Sequence, residues 1–125
     1  MRFLLPVLVL FIAACSADAT RIRLVNNTAF NLENGELSFG SEPEDIDFLA
    51  AGDESRYFRF NGADDCNRTF TAGLQSFGEV AFPPDNCVQP LPIAPGKYSL
   101  VLTLEPFVNP DGTTATGAFL RLRED

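Results

Sequence analysis

The side chains best placed for defined chemistry in this chain are its three cysteines, Cys15, Cys66 and Cys87. A thiol in an exported protein takes a disulfide partner or a covalent cap, and with imidazole beside it a metal. The chain has no histidine. The usual near-neutral proton carrier and the commonest metal ligand are therefore missing. Ser–His and Cys–His nucleophilic pairs are excluded on the same ground. A Ser–Lys dyad would have to use Lys97, the sole lysine, which alternates outward beside a turn and reads as a solvated strand residue. Two thiols without histidine make a poor metal set, and no C-x-x-C spacing serves redox exchange. No glycine-rich loop leads into a helix to hold phosphate. The expectation is a protein that is not an enzyme and carries no cofactor.

Carboxylates outnumber bases 17 to 9, a formal charge of −8. No basic stripe is present to neutralise phosphates, which argues against nucleic acid as a partner. The densest acidic stretch, Glu42, Glu44, Asp45 and Asp47, with Asp53 and Glu54 beyond, supplies the oxygen donors calcium prefers. It lacks the D-x-[DN]-x-[DN]-G spacing of a calcium loop, so these four are weak metal candidates and read first as a solvated loop. Asp64, Asp65 and Asp85 flank two of the cysteines and are a weaker version of the same idea. Paired carboxylates for glycoside hydrolysis find little room for a cleft in one small domain without Trp. Arg21 and Arg23 near one end of the chain, and Arg121 and Arg123 near the other, would crowd one face if their strands were neighbours. They would then need acidic partners or an anionic ligand, such as lipid headgroups or anionic glycans. Asn26-Asn27-Thr28 and Asn67-Arg68-Thr69 match the glycosylation sequon and read as coincidence.

Residues 1–14 read as an export signal. Arg2 is followed by an apolar run from Phe3 to Ala14, interrupted only by Pro6. Its 12 residues fall short of the ~20 a spanning helix needs, which marks a signal h-region. The run ends Ile12-Ala13-Ala14-Cys15. This resembles the lipobox of bacterial lipoproteins, in which small residues precede a cysteine whose thiol takes a diacylglycerol before cleavage. The resemblance implies lipid attachment at Cys15, palmitate-type acyl chains and a tether over residues 15–19. Two or three chains anchor stably, since each buried CH₂ contributes about 0.8 kcal/mol. The mature chain would then carry 8 bases against 17 acids, a formal −9. Ser16 after the cysteine resembles an outer-membrane address in the bacterial cell envelope. The alternative is Ala17-Asp18-Ala19 before Thr20, an A-x-A site for ordinary signal peptidase, which would give a secreted soluble β domain.

With Cys15 assigned, Cys66 and Cys87 have one possible pairing. Export places them where disulfides persist. The bridge would close a loop of about 22 residues and stabilise by roughly 3 kcal/mol.

The elements that must position these residues read as strands and turns. Arg21–Val25 alternates polar and apolar residues. Asn34-Gly35 is a hairpin signal before Leu37–Phe39, and Gly40–Asp47 reads as an acidic loop. Arg56–Phe60, Thr69–Gln75 and Glu79–Phe82 read as strands. From Lys97 to Leu104, Tyr98, Leu100, Leu102 and Leu104 share one face, with Lys97, Ser99, Val101 and Thr103 on the other. Asn109–Gly112 turns the chain, after which Ala118, Leu120 and Leu122 face inward and Arg121 and Arg123 outward. Leu91-x-x-x-Pro95-Gly96-x-Tyr98 reads as a tyrosine corner. No stretch after Thr20 holds a 3.6-residue period. The prediction is all-β: a single antiparallel β-sandwich over residues 20–125, Ig-like or transthyretin-like, with about seven strands after the signal segment.

Phe30-Asn31-Leu32-Glu33-Asn34, Gly52-Asp53-Glu54-Ser55-Arg56-Tyr57, Pro95-Gly96-Lys97-Tyr98 and the closing Leu120–Asp125 resemble small uncharacterised envelope lipoproteins of Bacteroidota-type bacteria. The likeness covers most of residues 20–125. The two cysteines and the acidic 40–49 segment depart from that pattern. The resemblance implies a lone β-sandwich on a lipid anchor. The function expected is a membrane-tethered binding or scaffolding module with an envelope protein or glycan as partner. The alternative is a calcium- or glycan-binding module that uses the acidic loops.

Overall fold

The computed structural model describes residues 19–40, 42–84 and 92–125. The expected signal segment over residues 1–14, Cys15, Asp85, Cys87 and Leu91 lie outside the described residues. Eight strands follow one another: β1 (Thr20–Asn27), β2 (Leu32–Phe39), β3 (Glu44–Leu49), β4 (Phe58–Phe60), β5 (Arg68–Leu74), β6 (Gly78–Phe82), β7 (Gly96–Val108) and β8 (Thr114–Glu124). They form two four-stranded sheets, ordered β4-β1-β7-β8 and β3-β2-β5-β6. The chain is an all-β sandwich, as the alternation predicts.

Each strand turns its apolar positions inward because successive side chains of a strand point to opposite faces. Ile22 and Leu24 of β1, Leu100 and Leu102 of β7, Leu32 and Leu37 of β2, and Phe70 of β5 are fully buried in one core. Phe39 and Phe60 join the two sheets, with ring centroids 4.9 Å apart. The eight strands that carry this core all lie after Ala19.

Three differences from the expected layout have local causes. Gly40–Asp47 is not a loop throughout: Glu44–Leu49 is strand β3, paired with β2 from Leu32↔Leu49 to Leu37↔Glu44. Ile46 and Leu49 are buried, and those two side chains suffice to seat a strand whose other residues are mostly polar. Asn34-Gly35 is not a hairpin turn either. It sits inside β2, where the register with β5 shifts between Glu33 and Glu36 and Asn34 has φ 52°. Asparagine tolerates that left-handed conformation, which serves a bulge as well as a turn. Finally, the sandwich is not wholly antiparallel. β1 and β7 pair in parallel from Thr20↔Gly96 to Asn27↔Thr103, so β7 separates the two terminal strands.

Gly35 is required for packing. A Cβ there would lie 3.2 Å from the Ile46 carbonyl oxygen and 3.2 Å from Leu32 Cδ2, whereas one on Gly73 would approach nothing closer than 3.7 Å. Gly35→Ala is expected to destabilise by about 1–2 kcal/mol through overpacking, and Gly73→Ala by much less. Chemical denaturation of the two variants tests this.

The β7–β8 ladder continues past its partner β1 to Val108↔Thr114, forming a two-stranded arm. Phe107 lies across Gly117 on this arm, and Phe107 and Val108 are exposed. The tyrosine corner is present: Tyr98 Oη donates to the Ala94 carbonyl at 2.8 Å.

Candidate functional site

Cations concentrate on one outer face, where some of them meet carboxylates. The outward positions of β1, β4, β7 and β8 carry Arg21, Arg23, Arg59, Lys97, Arg121 and Arg123. In the opposite sheet Glu36, Asp45, Asp47 and Glu79 are exposed, and its one cation, Arg68, opens β5. Arg68 donates to Asp65 and to the Leu120 carbonyl.

On the basic face two rows differ in kind. In the row Arg23–Ser99–Arg123, set by the β1–β7 and β7–β8 registers, the charges are neutralised. Arg23 Nη1 lies 3.0 Å from Glu54 Oε1, and Arg23 Nε donates to Ser99 Oγ at 2.9 Å. Ser99, fully buried, donates to Asp125 Oδ1 at 2.7 Å. Tyr57 Oη donates to Asp125 Oδ2 at 2.5 Å. The centroid of the Tyr57 ring sits 5.0 Å from the Arg23 guanidinium carbon and 5.2 Å from Lys97 Nζ, within cation–π range of each. Farther along, Arg121 pairs with Glu105.

The second row is Arg59–Arg21–Lys97. Arg21 is opposite Arg59 on β4 and opposite Lys97 on β7, and all three are exposed. Directly opposed residues have Cβ atoms about 5 Å apart, and like charges there are destabilising. Among the described residues, no carboxylate lies within ion-pair distance of any of the three.

The Tyr57–Asp125 contact shifts both groups. Partial burial works against ionisation of Asp125, but the hydrogen bonds from Tyr57 and Ser99 and the nearby Arg23 outweigh it, and the carboxyl lies below its ordinary value. The same bond, favouring the phenol, raises Tyr57 above 10.0. The depressed Asp125 stabilises the fold above its unfolded-state pKa, and that contribution disappears as pH falls through the lower folded value. The raised Tyr57 stabilises below its unfolded-state pKa and loses its effect as pH rises through the higher folded one. Asp125→Asn should therefore lie below wild type in stability by a constant margin from pH 5 to 8. The gap should close in acid, and denaturant titrations at several pH values measure it.

The other sequence candidates are dispersed. Arg21 and Arg23 do not abut Arg121 and Arg123 directly, because β7 runs between their strands. Asp45 and Asp47 are exposed on β3, and among the described residues no three Asp, Glu or Cys side chains converge as a metal would need. Asp64 is occupied in a turn, accepting from the backbone N–H of Cys66 at 2.9 Å and of Asn67 at 2.8 Å. Asp65 pairs with Arg68 at 2.8 Å. A shallow depression of about 240 Å³ lies beside Gly73, lined by Asn34, Thr71, Glu79 and Val80 among others. It contains no nucleophile–base pair. Asn26 of the first sequon is fully buried, which bars glycosylation of the folded chain there.

Two features escaped the sequence reading. Tyr57 shares a face with Arg59 by simple alternation ahead of β4, which was a usable signal. The burial of Ser99 by Arg23 and Asp125 had no local signal, because it depends on parallel pairing of strands more than 70 residues apart.

No protein-family model matches the chain, and no curated protein matches it. Among solved structures, it is similar to the NMR structure of a protein from Eubacterium rectale. The two share 16% identity over 80% of this chain and 87% of that one, with a TM-score of 0.51. At that identity the likeness shows the sandwich fold alone.

Proposed function

We propose that the chain is a lipid-anchored protein of the bacterial envelope, acting as a binding or scaffolding module. The observation that carries this reading is the position of Cys15. It follows small residues at the end of a 12-residue apolar run and stands five residues before Thr20, the first residue of β1. In this reading the N-terminal segment supplies the address and the domain works outside the cytoplasm.

The same reading makes Cys66 and Cys87 a disulfide. Cys66 is buried and is already engaged. β6 ends at Phe82, opposite Phe70. The chain next described bridges back at Asp64↔Pro92, and Ile93 N–H donates to the Ala63 carbonyl at 2.9 Å. Phe82 and Pro92, the paired residues that precede and follow Cys87 in sequence, thus lie opposite Phe70 and Asp64, which flank Cys66.

Metabolic labelling with a fatty acid in a bacterial host tests the anchor. Wild type is expected to incorporate label and to sediment with membranes. Cys15→Ser is expected to lose the label. Equal behaviour of the two chains would remove the anchor from the account.

A further inference from the structure

We propose that the Arg59–Arg21–Lys97 row is the surface on which the domain rests against anionic phospholipid headgroups of the membrane that holds its anchor. This inference rests on the lipid-anchor reading for its geometry.

The row is unusual within its face. The other cations of the same face have carboxylate partners: Arg23 has Glu54 and Asp125, Arg121 has Glu105, and Arg123 lies 3.9 Å from Asp125. Arg21, Arg59 and Lys97 stand side by side on three adjacent strands without one. In a chain with 17 acidic residues, leaving three opposed cations unneutralised calls for an anionic partner from outside.

Position identifies that partner. Arg21 is the second residue of β1, and the chain enters β1 from Ala19, whose carbonyl accepts from the Gly96 N–H at 3.1 Å. Gly96 immediately precedes Lys97. The row therefore lies at the edge where the tether joins the domain. Four residues from Cys15 to Ala19 reach at most about 14 Å, so an acylated Cys15 holds this edge close to the bilayer surface. Phosphate headgroups then meet the guanidinium groups by charge-assisted hydrogen bonds.

The acidic surplus does not prevent this. Packed sheets are about 10 Å apart, and with side chains added the outer faces stand roughly 20 Å apart. That is more than two Debye lengths of ~8 Å at physiological salt, so a surface at the basic face senses the near cations far more than the remote carboxylates. Each such cation contributes about a five-fold gain in partition. With the tether in place, even a weak contact is intramolecular and suffices to orient the domain.

The test uses the chain from Ser16 onward, which keeps all eight strands and lacks both the apolar run and Cys15. It is mixed with phosphatidylcholine vesicles, with or without an equal share of phosphatidylglycerol. Wild type is expected to sediment with the anionic vesicles at physiological salt, where the remote carboxylates are screened, and not with the neutral ones. Arg21→Ser/Arg59→Ser is expected to partition roughly 25-fold more weakly, with a melting temperature equal to wild type or higher as like charges are separated. Absence of binding to anionic vesicles, equal binding by the double variant, or binding to soluble polyphosphate alone would overturn the proposal. None of these results depends on acylation. A chain lacking acyl mass would defeat the anchor, and the vesicle result reads the face alone.

Discussion

Replacing Asn26 with alanine should lower the stability of the domain by roughly 3 kcal/mol, a large share of the 5–15 kcal/mol typical of a small protein. Asn26 is polar yet fully buried. Its amide nitrogen donates to the carbonyls of Phe30 at 2.9 Å, Leu49 at 3.0 Å and Ala50 at 3.3 Å. Its Oδ1 accepts from Thr28 Oγ1 at 2.7 Å. One side chain thus ties the end of β1 to the turn before β2 and to the end of β3, linking the two sheets. Each bond contributes about 1 kcal/mol net, and a buried carbonyl left without a donor costs a further 1–3. Asn26→Asp keeps the shape but turns a carboxylate toward three carbonyl oxygens, and should be at least as damaging. Asn27, the exposed neighbour, supplies the control. Urea midpoints at constant m-value should drop steeply for Asn26→Ala and stay within about 0.5 kcal/mol of wild type for Asn27→Ala. Equal shifts would show that the clasp has no special weight.

Removing the proposed Cys66–Cys87 bridge is expected to have an effect of similar size. A closed loop of about 22 residues constrains the unfolded chain by roughly 3 kcal/mol. In a domain this small that is the difference between a firm and a marginal fold. Cys66→Ala/Cys87→Ala should shift the urea midpoint of the oxidised protein down to that of the wild type under reductant. Alkylation mass before and after reduction should differ by two labels. The same midpoint for all three samples would mean that the two thiols do not staple the fold.

Sequence alternation located β1, β7 and β8 because each buries one face and wets the other, a pattern written in adjacent residues. β3 was hidden because only Ile46 and Leu49 report its inward face among acidic neighbours, and an acidic run reads as loop. Asn34-Gly35 misled for a related reason: the conformation it encodes is local, and hairpin and bulge both use it. The parallel pairing of β1 with β7 had no local signature. The Arg21–Lys97 contact and the burial of Ser99 follow from that pairing, so the part of the candidate site that depends on strand order stayed out of reach. The charges themselves were legible. What the fold adds is which of them lack partners.

The proposed anchor at Cys15 underlies both the proposed role and the proposed orientation of the basic row. Intact mass of the mature protein extracted from membranes is the most direct test. The account predicts a chain that begins at Cys15 and carries the added mass of two or three acyl groups, removable in part by base. A chain that begins at Thr20 with no added lipid mass would contradict it.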